Sequence, residues 1–123
     1  MHKANKGLYG EAIFLKTCAE KGWEVAWAYD QSRPYDYVIL YNGKWCTVQV
    51  KTAYASKETR KNPGREVSLR RGRTHKRTAY QSGDFDYLFV VDGNDRWSIP
   101  WRDIEHIKSC LTISSPKYDV YKF

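Results

Sequence analysis

The 123-residue sequence predicts an α/β fold, a central sheet flanked by helices, on three observations. Residues 5–21 carry apolar side chains at helical spacing. Two β-rich runs, 35–41 and 44–51, flank the dipeptide Asn42-Gly43, which is the preferred two-residue hairpin loop because both of its residues must take φ > 0. A continuous apolar run, 85–91, then turns through Asp92-Gly93-Asn94-Asp95 into a further strand.

Each element follows in order. The first helix, 5–21, closes at Gly22 in the C′ position. Leu8, Ala12, Leu15 and Ala19 form its apolar stripe, with Cys18 at the margin and Glu11 inside it. A carboxylate in such a stripe implies contact with a metal or a lysine, or else a rim position from which the charge reaches solvent. Residues 23–29 read as the first strand and 30–34 as a loop. Pro34 has no amide hydrogen, so it suits the start of the second strand, 36–41. The third strand is 44–51. Residues 53–78 have weak periodicity, with a turn at Asn62-Pro63-Gly64 and a short strand near 67–69. Strands at 85–91 and 96–99 follow, and Pro100-Trp101 opens a second helix to about Ser109 with Ile104 and Ile107 facing inward. The tail, 112–123, adds an edge strand over 118–123. Repeats and low-complexity segments are absent from the sequence, so 1–123 is expected to be a single domain.

The hairpin sets a register with chemical consequences. With a two-residue loop Tyr41 pairs with Lys44, and Asp36 lies opposite Gln49. Side chains alternate between faces, so Lys51 projects on the same side as Gln49. A carboxylate, a carboxamide and an ammonium then share one end of one face, along with Val38, Leu40, Trp45 and Thr47. The other face carries Tyr37, Ile39, Tyr41, Lys44, Cys46, Val48 and Val50. Both faces are largely apolar, as expected of strands covered on two sides. A three-residue loop would instead place Asp36 opposite Val50 and scatter the group. Taken alone, the pattern fits either a metal-binding site or an ordinary Asp36–Lys51 ion pair at a sheet edge.

Charge narrows the choice. The chain carries a net +7. Between Lys51 and Arg77 lie ten basic residues (Lys51, Lys57, Arg60, Lys61, Arg65, Arg70, Arg71, Arg73, Lys76 and Arg77) against Glu58 and Glu66, so this segment holds +8 and the remainder −1. A polyanion such as double-stranded DNA is the natural partner of such a segment; a solubilising loop or a protein-interaction surface are the alternatives. Three cysteines without close spacing, Cys18, Cys46 and Cys110, suit buried thiols in a reducing cytoplasm better than disulfides or zinc. No apolar stretch is long enough to span a membrane, and the first residues, Met1 to Lys6, lack the apolar core of a signal peptide.

The helix glutamate, Pro34-Tyr35-Asp36 at the start of a strand and Gln49-Val50-Lys51 at the end of the next resemble the PD-(D/E)XK nuclease superfamily. The spacing is similar to that of small intron-encoded homing endonucleases that carry a Gln-x-Lys variant. This chain has one extra residue between proline and aspartate, and glutamine stands in place of the usual acid. The resemblance implies a restriction-endonuclease-like core, a central mixed sheet flanked by helices in the order αβββαβ. It further implies Mg²⁺-dependent hydrolysis of DNA phosphodiesters, with Mn²⁺ able to substitute. Glu11, Asp36, Gln49 and the Val50 carbonyl would be the metal ligands, and Lys51 would orient the attacking water and stabilise developing charge. The basic segment 51–77 would contact double-stranded DNA, and cutting both strands would call for a homodimer or homotetramer. Site-specific homing cleavage is the leading expectation. A resolvase of Holliday or other branched junctions, a repair nuclease and a catalytically inactive DNA-binding module are the alternatives.

Overall fold

The computed structural model describes residues 6–30, 32–55, 64–71 and 78–123. Among the described residues one α-helix, α1 (Lys6–Lys21), precedes ten strands: β1 (Val25–Trp27), β2 (Tyr37–Tyr41), β3 (Lys44–Thr52), β4 (Tyr54–Ala55), β5 (Arg65–Ser68), β6 (Arg70–Arg71), β7 (Thr78–Ala79), β8 (Tyr87–Asp92), β9 (Asp95–Pro100) and β10 (Cys110–Thr112). The central sheet has the order β1-β2-β3-β8-β9 and is mixed, because β3 and β8 run parallel while the other pairs are antiparallel. A three-stranded sheet, β10-β5-β4, and a two-stranded ribbon, β6-β7, complete the strands. Among the described residues no helix is long and apolar enough to cross a membrane.

The β2–β3 turn is the one the sequence predicts. Asn42 and Gly43 both take positive φ, 52° and 75°, which is type I′ geometry. Tyr41 pairs with Lys44 and Tyr37 with Val48, so the register is the predicted one along the whole ladder.

Each face of the central sheet carries its own core. On one side Phe14 and Cys18 of α1 pack on Tyr37, Ile39, Cys46, Val48, Val50, Phe89 and Val91. On the other, Leu88, Val90, Trp97 and Ile99 meet Val67, Leu69, Leu111 and Ile113 of the small sheet, together with Tyr80, Phe85 and Ile104. No member of this second core comes from β1 or β2. Val38 and Leu40 are only half-buried and Trp45 is 52% exposed, so the expectation of cover on both sides fails for this half of the face.

Three further expectations are corrected. The buried face of α1 is Gly10, Phe14, Thr17 and Cys18, whereas Leu8, Ala12 and Ala19 are exposed. Phe14 sets the rotation, since its ring packs at 4.9 Å from both Tyr37 and Phe89 and buries far more apolar area than any alanine. At Gly10 an added Cβ would overlap Thr52 Oγ1, so the helix rides close on β3 at that point. The second helix is a single 3₁₀ turn, Trp101–Asp103. Trp101 is held by the Asp86 carbonyl and by Phe85 edge-on at 5.2 Å, and Ile104 leaves helical geometry to enter the core. The tail is a 3₁₀ helix, Pro116–Tyr121, rather than an edge strand; Pro116 starts it, and a lone bridge joins Lys122 to Trp97.

Candidate active site

Asp36 immediately precedes β2 and is half-buried. Its backbone N–H donates to the Val48 carbonyl at 2.9 Å, which extends the hairpin pairing by one residue and fixes the side chain opposite Gln49. Gln49 Nε2 donates to Asp36 Oδ2 at 2.9 Å, and the Val50 backbone N–H donates to the same oxygen at 2.9 Å. Among the described residues Oδ1 accepts no hydrogen bond. Gln49 Nε2 also reaches the Val50 carbonyl at 3.3 Å. A glutamine here does what a second carboxylate cannot do unaided, which is to donate to Asp36 rather than repel it.

Burial pushes the Asp36 carboxyl above its ordinary range, and the Glu11 charge adds to the rise; the Val50 N–H and the Lys51 ammonium oppose it. A buried carboxylate raised in this way gains from a nearby cation. Lys51 lies two residues beyond Gln49 on the same face. Its Nζ donates to the Arg70 carbonyl at 3.3 Å and stands 5.5 Å from the centroid of the Tyr80 ring. Glu11 approaches from the α1 side, where its Oε1 accepts from the Tyr37 hydroxyl at 2.9 Å. It therefore meets Asp36 by charge and not by a hydrogen bond.

The structure brings together Asp36, Gln49, Val50 and Lys51, and sets Glu11 beside them. Of the basic residues singled out in the sequence, Arg65, Arg70 and Arg71 are described; Lys57, Arg60, Lys61, Arg73, Lys76 and Arg77 lie outside the described residues. Arg65 is engaged by Asp92 through two hydrogen bonds, Nη2 at 2.8 Å and Nε at 3.1 Å, and by the Ala53 carbonyl. Arg70 and Arg71 lie on the ribbon beside Lys51. Arg71 Nη2 donates to the Ser32 carbonyl at 3.1 Å, tying the ribbon to the loop that leads into Asp36. Tyr37 and Tyr80 carry no sequence signal that places them beside these residues. Tyr37 reads only as a core aromatic, and Tyr80 is remote in sequence from Lys51.

A family model, described as PD-(D/E)XK endonuclease, matches residues 1–113. The chain belongs to this family. The fold is similar to that of a solved structure, the bacterial homing endonuclease I-Ssp6803I, at 21% identity and a TM-score of 0.82, with 99% of this chain and 89% of that chain covered. No curated protein matches the chain. The PD-(D/E)XK nucleases generally use divalent metal ions. The oxygens around Asp36 suit such an ion in kind: the Asp36 carboxylate, the Val50 carbonyl, the Gln49 amide oxygen and the Glu11 carboxylate are all hard donors. They fit it sparsely in charge, since no cluster of three His, Cys, Asp or Glu occurs among the described residues. With Nε2 facing Asp36, the Gln49 amide must turn over before its oxygen can join the set. A separate aromatic cleft of about 330 Å³, between Trp23, Tyr41, Tyr87, Tyr121 and Phe123, shares no residue with this group.

Proposed function

We propose that this PD-(D/E)XK protein is a Mg²⁺-dependent endodeoxyribonuclease that hydrolyses phosphodiester bonds in double-stranded DNA, with Mn²⁺ able to substitute. The observation that carries the proposal is the meeting of Asp36, Gln49 and Lys51 on one face of the β2–β3 hairpin, in the register set by Asn42-Gly43. Asp36 is the principal metal ligand, through its unengaged Oδ1, and Gln49, the Val50 carbonyl and Glu11 complete the set. The cation, when bound, withdraws charge from the phosphate oxygens. Lys51 orients the attacking water and opposes negative charge as it builds on the phosphorus centre. Val50 N–H holds the Asp36 carboxylate in place. Tyr37 hydrogen-bonds Glu11, and its own hydroxyl stays protonated, because burial and then the Glu11 bond raise its pKa.

Residues 1–123 act as one nuclease domain in this proposal, and the segment 51–77 supplies DNA contacts. Arg70 and Arg71 are the described residues best placed for phosphates, whereas Arg65 serves the fold through Asp92. Site-specific, homing-type cleavage is the favoured biology, because a solved structure with a similar fold is that of a homing endonuclease. A homodimer or homotetramer is supported by the exposed apolar stripe of α1, Leu8, Ala12 and Ala19. A reducing, cytoplasmic setting suits the free thiols Cys18, Cys46 and Cys110.

Incubation with supercoiled plasmid and Mg²⁺ tests the proposal. The wild-type chain should nick and linearise the plasmid. Asp36→Asn should abolish cleavage while keeping DNA binding, and Lys51→Ala should lower the rate by about 10²–10³. Cleavage that persists in both variants would remove the site. Intact plasmid at high protein, alongside tight salt-sensitive binding, would favour a catalytically inactive DNA-binding module. Preference for four-way junctions over plasmid would point to a resolvase.

A further inference from the structure

Tyr80 follows strand β7 directly and is 6% exposed. Its ring meets Phe85 in a T-shaped pair at 5.0 Å and belongs to the core beneath the small sheet. The Lys51 ammonium lies 5.5 Å from its centroid, within the range at which a ring quadrupole attracts a cation. The Arg70 carbonyl accepts from the same ammonium at 3.3 Å. Arg70 pairs with Ala79, the residue before Tyr80, so both groups belong to one end of the β6–β7 ribbon. Burial, with the Asp36 charge adding to it, raises the Tyr80 pKa, so the hydroxyl stays neutral. The attraction is thus that of a neutral ring for a cation and not an ion pair with a phenolate.

We infer that Tyr80 is a positioning residue for Lys51: its buried ring, with the Arg70 carbonyl, holds the ammonium on the Asp36 side of the sheet. A lysine side chain is a flexible four-carbon stem, and a point charge useful at one place must be kept from sampling the others. The T-shaped contact with Phe85 also uses the ring's quadrupole, but it belongs to the core and bears on stability rather than on the ammonium. A purely packing role would be met by any ring of the same volume. The inference rests on the assignment of Lys51 as the catalytic cation.

The test replaces Tyr80 by Phe and then by singly, doubly and triply fluorinated Phe, which keep the ring's shape while draining its quadrupole. Plasmid cleavage is followed at saturating Mg²⁺. The Phe variant serves as reference, and kcat should fall steadily with fluorination, by about tenfold across the series, the order expected for a partly desolvated cation–π contact. KM should stay constant. A flat kcat series, with Lys51→Ala inactive, would overturn the inference and leave the nuclease assignment standing. Full activity in Lys51→Ala would overturn both. A measurement on the wild-type chain removes dependence on the variants: the Lys51 ε-methylene protons should be ring-shifted upfield in NMR spectra, and unshifted resonances would equally overturn the inference.

Discussion

Gln49→Glu restores the acid usual in the motif, and its consequences follow from one hydrogen bond. Gln49 Nε2 donates to Asp36 Oδ2 at 2.9 Å. Glutamate would remove a charge-assisted bond of about 1.5–3 kcal/mol. It would also set two carboxylates within contact distance, where like charges at 4 Å repel by about 4 kcal/mol at an effective dielectric constant of 20. Both side chains are half-buried, so solvent screens part of the repulsion and a net loss of about 2 kcal/mol is expected without metal. For a chain of this length that corresponds to a fall in Tm of about 5–10 °C.

The sign with pH is defined as well. The folded-state pKa of Asp36 is raised, chiefly by burial, so its contribution favours folding below the ordinary carboxylate range and is lost as pH rises through the folded value. A second carboxylate raises it further, so the Tm deficit of the variant should be largest at neutral pH and should close in acid. Excess Mg²⁺ should narrow the deficit by more than half, because two carboxylates hold a hard cation better than one. Tenfold tighter binding adds about 1.4 kcal/mol at saturation. Thermal melts of both chains in EDTA and in Mg²⁺, across pH, provide the assay. Equal melting in EDTA together with an equal response to Mg²⁺ would refute the reasoning, since Gln49 and Asp36 would then share no site.

Other consequences separate fold from function. Arg65→Ala should cost about 1 kcal/mol, because its ion pair with Asp92 is partly exposed. The slope of DNA affinity against salt should stay unchanged; a slope reduced by about one would make Arg65 a phosphate contact instead. Arg71→Ala should reduce the slope by about one in a filter-binding titration, with a stability cost no larger than that of Arg65→Ala, since its ion pair with Asp84 at 3.8 Å is also partly exposed. Gly43→Val places a branched side chain at φ 75° and should cost about 1–2 kcal/mol. It should also favour a longer loop, so that cleavage falls further than stability; a stable variant with full activity would show that the turn does not govern the site.

The parts of the site legible in the sequence were those set by local geometry. Two residues restricted to positive φ fixed the loop length, the loop length fixed the register, and the register brought Asp36 to Gln49. The fold class was legible for the same reason, since α1, the hairpin and the β8–β9 pair are built from neighbouring residues. Distant packing decides what was not legible. The rotation of α1 depends on where Phe14 finds Tyr37 and Phe89, which the spacing of Leu8 and Ala12 cannot reveal. The strand at Cys110–Thr112 forms only because Glu66–Ser68 lies alongside it, more than forty residues earlier in the chain. Trp101 reads as the start of a helix until Phe85 and the Asp86 carbonyl hold it in a 3₁₀ turn. Tyr80 carries no pattern linking it to Lys51, and only the ribbon joins them.

The most direct measurement is a crystal structure of the protein soaked in Mn²⁺, with data collected for anomalous scattering. A peak bonded to Asp36 Oδ1 is expected, with the Gln49 amide turned so that its oxygen faces the ion. A fully occupied Mn²⁺ peak elsewhere, with Gln49 Nε2 still donating to Asp36, would contradict it.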